Sequence, residues 1–188
     1  MAPSTSTTSL VSVVAVLLLL LPTSSVSDEI LAACKTVGGG STYVGVQFCE
    51  DALRPVAASG TMDYQLFAGL VVGLLADNAT STEATIDRLL RGGVGGVKLN
   101  AEDDAAVSRC LLSCRSLYRA IVHGGPACTA AVKAGKFAEA TATLEKAAAA
   151  AKECEDGFGK NNASSPLSVE DDDAFQLANL GVGLLRFA

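Results

Sequence analysis

The sequence predicts an all-α fold: an up-down four-helix bundle with an N-terminal helical hairpin, stapled by disulfides. Three observations carry this expectation. Apolar residues recur every three to four positions through four long stretches, which is helical spacing. Alternation of the strand type is confined to Tyr43–Phe48. Six cysteines follow a leader of the exported kind, and an even cysteine count in an exported chain reads as disulfides.

The leader comes first. Leu10 to Leu21 is an apolar run, and Ser25-Val26-Ser27 places small residues where a signal peptidase reads them. Residues 1–27 are therefore expected to be a secretory signal cut after Ser27. The run falls short of the roughly 20 apolar residues of a spanning helix, so no membrane segment is expected in the mature form. Part of the mean hydropathy of +0.38 comes from this segment. The sequons Asn78-Ala79-Thr80 and Asn162-Ala163-Ser164 agree with export, and a glycan at either requires a solvent-facing asparagine.

Residues 28–54 read as two short helices around the turn Gly38-Gly39-Gly40-Ser41-Thr42, with Cys34–Cys49 as their clamp. Such a clamp stabilises by about 3 kcal/mol in the chain-entropy account. A phosphate loop is excluded, because G-x-x-x-x-G-K-[ST] is absent. Pro55 to Gly60 is a linker, and 61–188 is the bundle. Met62 to Arg91 forms a helix on Leu66, Leu70, Leu74, Ile86, Leu89 and Leu90, ended by Gly92-Gly93-Val94-Gly95-Gly96. The next starts near Asn100, with Glu102, Asp103 and Asp104 on its positive end. It buries Val107, Leu111, Cys114, Leu117, Tyr118 and Ile121, and Gly124-Gly125-Pro126 is expected to kink or break it. Gly135 turns the chain, and Phe137 to Cys154 is an alanine-rich helix. Residues 156–167 read as a loop. The last helix begins at Ser168, with Asp171 completing a variant capping box, and buries Phe175, Leu177, Leu180, Val182, Leu184 and Leu185.

The cysteines test the layout. In an antiparallel hairpin turning near Gly135, the midpoint of Cys114 and Cys154 is position 134, beside the turn. The two should face each other within disulfide reach. On one straight helix Cys110 and Cys128 lie roughly 27 Å apart, too far to bond. A helix stopping near Val122 would let an extended return bring Cys128 back. The even count tips the expectation to a third pair, Cys110–Cys128.

Composition limits function. The chain has 20 acids against 14 bases, a net charge of −6, which opposes nucleic-acid binding. Aromatics are 5% with no Trp, leaving no stacking platform for single strands. His123 is the sole histidine, so a two-histidine metal site is excluded. No cofactor is expected. Catalysis is not expected either: His123 sits alone, and Asp103, Asp104 and Asp171-Asp172-Asp173 lie at helix starts, where the helix dipole accounts for acids.

The ordered pieces resemble the plant invertase and pectin methylesterase inhibitor family. They are the leader, Cys34-Lys35-Thr36 to Phe48-Cys49-Glu50-Asp51-Ala52-Leu53, Cys114 with Tyr118 four residues on, Cys154 before Asp156-Gly157-Phe158, and an acidic start running into Leu177, Leu180 and Leu184. The resemblance spans 28–188 and implies bridges Cys34–Cys49 and Cys114–Cys154; Cys110 and Cys128 are additions to that pattern. It further implies a secreted protein, in the apoplast or alternatively the vacuole. Such a protein docks one-to-one on pectin methylesterase or acid invertase and blocks the substrate cleft. Invertase inhibitors of the family carry a Pro-Lys-Phe tip, which here reads Gly135-Lys136-Phe137. A cationic Lys136 suits the paired acids of a glycosidase, and Phe137 suits an apolar or sugar-stacking site. Glycine in place of proline predicts a less rigid tip.

For pectin methylesterase the resemblance implies exposed helix faces, with Arg115, Arg119, Glu139, Thr141, Thr143 and Glu145 as candidates by exposure. Acidic helix starts predict that binding depends on the pH of the wall. The competing readings are a carrier of lipids or small molecules, which needs an internal apolar cavity, and an allergen-like protein without inhibitory activity.

Overall fold

The computed structural model describes residues 26–39, 43–55, 63–92 and 101–188. The expected leader lies outside them up to residue 25, as do Gly40–Thr42, most of the expected linker, and 93–100. Every described regular element is helical: α1 (Val26–Gly39), α2 (Val46–Leu53), α3 (Tyr64–Gly92), α4 (Ala101–Lys133), α5 (Phe137–Lys160) and α6 (Ser168–Leu185). The Tyr43–Phe48 alternation is no strand; α2 starts inside it.

Helices α3 to α6 form a ring in which α3 packs on α4, α4 on α5, α5 on α6 and α6 back on α3. The hairpin α1–α2 lies outside, against α3 and α6. Cys34 and Cys49 are bridged with their Cα atoms 5.6 Å apart, so α1 and α2 are clamped as expected. The hairpin meets the bundle where α6 has no side chain: a Cβ at Gly183 would overlap Val37 Cγ1 of α1. Gln176 Oε1 accepts the Gly45 N–H (3.3 Å), and Tyr43 meets Phe175 edge-on at 5.5 Å.

The apolar stripe of α3 is rotated from the expected one. Phe67, Val71, Leu75, Ala79, Thr82 and Ile86 are buried, whereas Leu66 is exposed and Leu70 and Leu74 are half-buried. Leucines alone mark a face one residue off. The buried face is also written in Phe, Val, Ala and Thr, whose spacing of three and four keeps one side of the helix inward. The α4 and α6 stripes follow expectation, except that Leu117 and Phe175 are half-buried.

Cys114 and Cys154 are bridged with Cα atoms 4.8 Å apart, as the midpoint of the α4–α5 hairpin requires. The third pair is overturned. Helix α4 runs unbroken through Gly124-Gly125-Pro126, and Cys110 and Cys128 are separate buried thiols. Continuity prevails because both sides of the predicted break are anchored in the core, by Ile121 before it and Cys128, Ala131 and Val132 after it. Pro126 sits on the exposed face, and the carbonyl it frees is that of the half-buried Val122. The Cys110 thiol lies 3.5 Å from Gly157 O, and that of Cys128 lies 3.7 Å from Ala140 O. Helix α5 also continues to Lys160, through the start of the expected 156–167 loop.

Denatured but unreduced mature protein is expected to take up two alkyl groups, mapping to Cys110 and Cys128. In the native protein both thiols should react slowly. Peptide mass mapping after alkylation reads both results; no uptake would restore the third bridge.

Candidate functional site

The α4–α5 turn is built by its backbone. Gly135 has φ +70°, a left-handed conformation that glycine adopts without strain. Its N–H donates to Val132 O (3.1 Å), and the Lys136 N–H reaches back to Ala131 O (2.9 Å). These two bonds are the Schellman closure, which satisfies the last carbonyls of α4. The Lys136 carbonyl then accepts from Glu139 N (3.1 Å) and Ala140 N (3.2 Å), starting α5. Glycine here permits a fully hydrogen-bonded turn. Proline at 135 has no N–H to give Val132, and its ring fixes φ near −65°.

At the apex the Lys136 ammonium is exposed and lies 3.2 Å from the Glu139 carboxylate. Phe137 is half-buried and packs against the core. The tip thus presents a solvated cation beside a ring anchored from below.

The candidates chosen by exposure have different partners. Arg119 bonds Glu83 of α3 at 2.6 Å, and Arg115 bonds Asp87 of α3 at 3.3 Å. Both arginines tie α4 to α3. Glu139 belongs to the tip through Lys136, and the Thr143 hydroxyl donates to Glu139 O at 3.0 Å. Thr141 is half-buried and Glu145 exposed.

The two sequons differ. Asn162 is exposed in the turn after α5, at φ 51°. Asn78 lies within α3, half-buried; its amide nitrogen is 3.5 Å from Glu170 O of α6, and its buried Oδ1 has no hydrogen-bond partner among the described residues. His123 is exposed. Among the described residues no group of three or more His, Cys, Asp or Glu is placed to hold a metal ion, and no helix is long and apolar enough to cross a membrane.

An apolar cavity of about 290 Å³ opens between α3, α4 and α5, where Gly124 and Gly125 face Ala76, Thr143 and Ala147. Its size is at the lower edge of the range for small-molecule sites.

Sequence reasoning missed a polar cluster inside the bundle. Tyr118 of α4 is fully buried and donates its phenolic O–H to Asp171 Oδ1 of α6 at 2.6 Å. Asp171 is itself only 2% exposed. It makes no capping box: Ser168 Oγ donates to Ser165 O (3.1 Å) and no side chain caps α6. Burial, against the lowering effect of the Tyr118 bond and with a further raise from Glu155 and Glu170, lifts the Asp171 carboxyl to about 7. Burial, with Asp171 beside it, pushes the Tyr118 phenol up as well. The signal in the sequence was an acid one turn inside an apolar helix, hidden by its two acidic neighbours.

A family model described as plant invertase/pectin methylesterase inhibitor matches residues 28–182. Among curated proteins none matches the chain.

Gly135→Ala is expected to cost about 1 kcal/mol at a left-handed position, lowering Tm by about 2–4 °C for a chain of this size. Gly135→Pro should lower it further, because a hydrogen bond is lost as well. Calorimetry of the two variants beside wild type checks both the sign and the order.

Proposed function

Because the chain belongs to the plant invertase/pectin methylesterase inhibitor family, we propose that it is a secreted inhibitor that docks one-to-one on a plant carbohydrate-active enzyme, pectin methylesterase or acid invertase, and fills its substrate cleft. The observation that carries this reading is the α4–α5 tip. An exposed Lys136 and a half-buried Phe137 stand on a turn whose backbone hydrogen bonds are already made. Little is left to order when such a tip is bound, which favours affinity. The Cys114–Cys154 bridge holds the two helices behind it in register.

Lys136 gives the tip its chemistry. A glycosidase works with two carboxyl groups flanking the scissile bond, and an ammonium carried into that groove is complementary to them. Its present partner, Glu139, is exposed, so exchanging one carboxylate for another breaks only a solvent-screened pair. Phe137 fills the neighbouring apolar or sugar-stacking surface. Against pectin methylesterase the exposed faces of α4, α5 and α6 would carry the contact. A leader cut after Ser27 would deliver the protein to the apoplast, with the vacuole as the alternative. A glycan on exposed Asn162 fits that route, and Asn78 is the poorer acceptor.

Mature protein mixed with each enzyme at acidic pH is expected to elute from size exclusion as a one-to-one complex with at least one of them. No complex and no inhibition with either class would end this reading. With acid invertase, Lys136→Glu should weaken inhibition about tenfold to a hundredfold, the scale of a hot-spot anchor, with an unchanged circular dichroism spectrum. A variant as potent as wild type removes the tip as the anchor.

A further inference from the structure

We propose that Glu155, Asp171 and Tyr118 form a proton-holding latch between α5, α6 and α4, which makes the bundle more stable as its surroundings become acidic. The geometry comes first. Asp171 Oδ2 and Glu155 Oε2 are both buried, and among the described residues neither has a hydrogen-bond donor. Glu155 and Asp171 line the same cleft between α5 and α6. Two acceptor-only carboxylates in one cleft repel, whereas a proton on either one removes that repulsion and supplies a donor. Tyr118 occupies the other Asp171 oxygen at 2.6 Å. A single added proton thus completes a cluster joining three of the four bundle helices.

Among the described residues the surrounding charges leave that role unopposed. On the helix carrying Asp171, Glu170 raises it further and Asp172 is exposed. Helix α5 adds Glu155, with Asp156 and Lys152 along the same cleft, but Lys152 is committed to Asp156 at 2.9 Å. Helix α4 contributes Tyr118, and α3 contributes the neutral Asn78 and Thr82 nearby. The cleft, about 700 Å³ and edged by Tyr43 and Phe175, opens to solvent, so proton exchange needs no unfolding.

The sign follows from linkage. Asp171 has an ordinary value of 3.8 and a folded value of about 7. Between them the folded chain holds a proton that the unfolded chain has lost. Stability is therefore full below the ordinary value and falls as pH rises through the folded one. Asp173, also raised by burial and by Asp172 and Glu170, adds in the same direction. The effect is a property of the chain alone and holds whichever enzyme it meets.

The test is guanidinium unfolding of the disulfide-intact mature chain at pH 5 and pH 8. For wild type the unfolding equilibrium constant should rise by roughly tenfold to a hundredfold between them. Asp171→Asn can still accept from Tyr118 and can donate to Glu155, so it should fold and lose most of that dependence. Glu155→Gln, which removes the neighbouring charge but leaves Asp171 buried, should lose part of it. Carbon-detected NMR of wild type should show a carboxyl titrating near neutral pH. Equal wild-type stability at the two pH values, or undiminished dependence in both variants, overturns the latch. So does the absence of any carboxyl inflection above pH 6.

Discussion

The reverse turn at Gly135 is the constraint on which most of the molecule hangs. It closes α4 against α5 with two backbone bonds and leaves those helices one register. In that register Cys114 meets Cys154, and the Cys110 thiol comes to rest against Gly157 O. Tyr118, one turn from Cys114, then points across to Asp171 when α6 lays itself beside α5. The disulfide records the alignment that the turn imposes. The buried phenol reads the same alignment from the far side of the bundle. The tip that we take to meet the target and the polar cluster in the interior are therefore two ends of one geometric decision.

The hairpin α1–α2 is attached by different means. It has its own staple, Cys34–Cys49, and rests on α6 where Gly183 removes the side chain that would stand in Val37's way. The Gln176 bond to Gly45 and the Tyr43–Phe175 contact add a polar and an aromatic fastening at its connecting loop. A separate staple suits a piece that shares little of the ring of α3 to α6.

How far the sequence could be read depended on what each signal measured. Number symmetry about Gly135 found Cys114–Cys154, because an antiparallel pair converts sequence distance directly into contact. The stripes of α4 and α6 were legible from apolar spacing. The α3 stripe was displaced because leucines on the flank are as apolar as the phenylalanine and valines that face inward. Gly124-Gly125-Pro126 misled for another reason: local propensity favours a break, and tertiary burial of Ile121, Cys128 and Val132 overrides it. The place of the α4–α5 turn at Gly135 was legible, but the backbone bonds that close it were not, since hydrogen bonds are invisible in composition. Asp171 was illegible for a like reason. An acid at a helix start has a sufficient local explanation in the dipole, and only the packing of α4 across it reveals a second role.

Cys110 sits a single helical turn from Cys114, on the same inward side of α4, with its thiol already beside the backbone of α5. A nascent chain whose two helices slipped by that turn would offer Cys154 the wrong sulfur at comfortable range. The sequence thus holds a second cysteine one helical turn from the bridged one. The glycine corner and the hydrophobic packing set the register that places Cys114, and not Cys110, opposite Cys154.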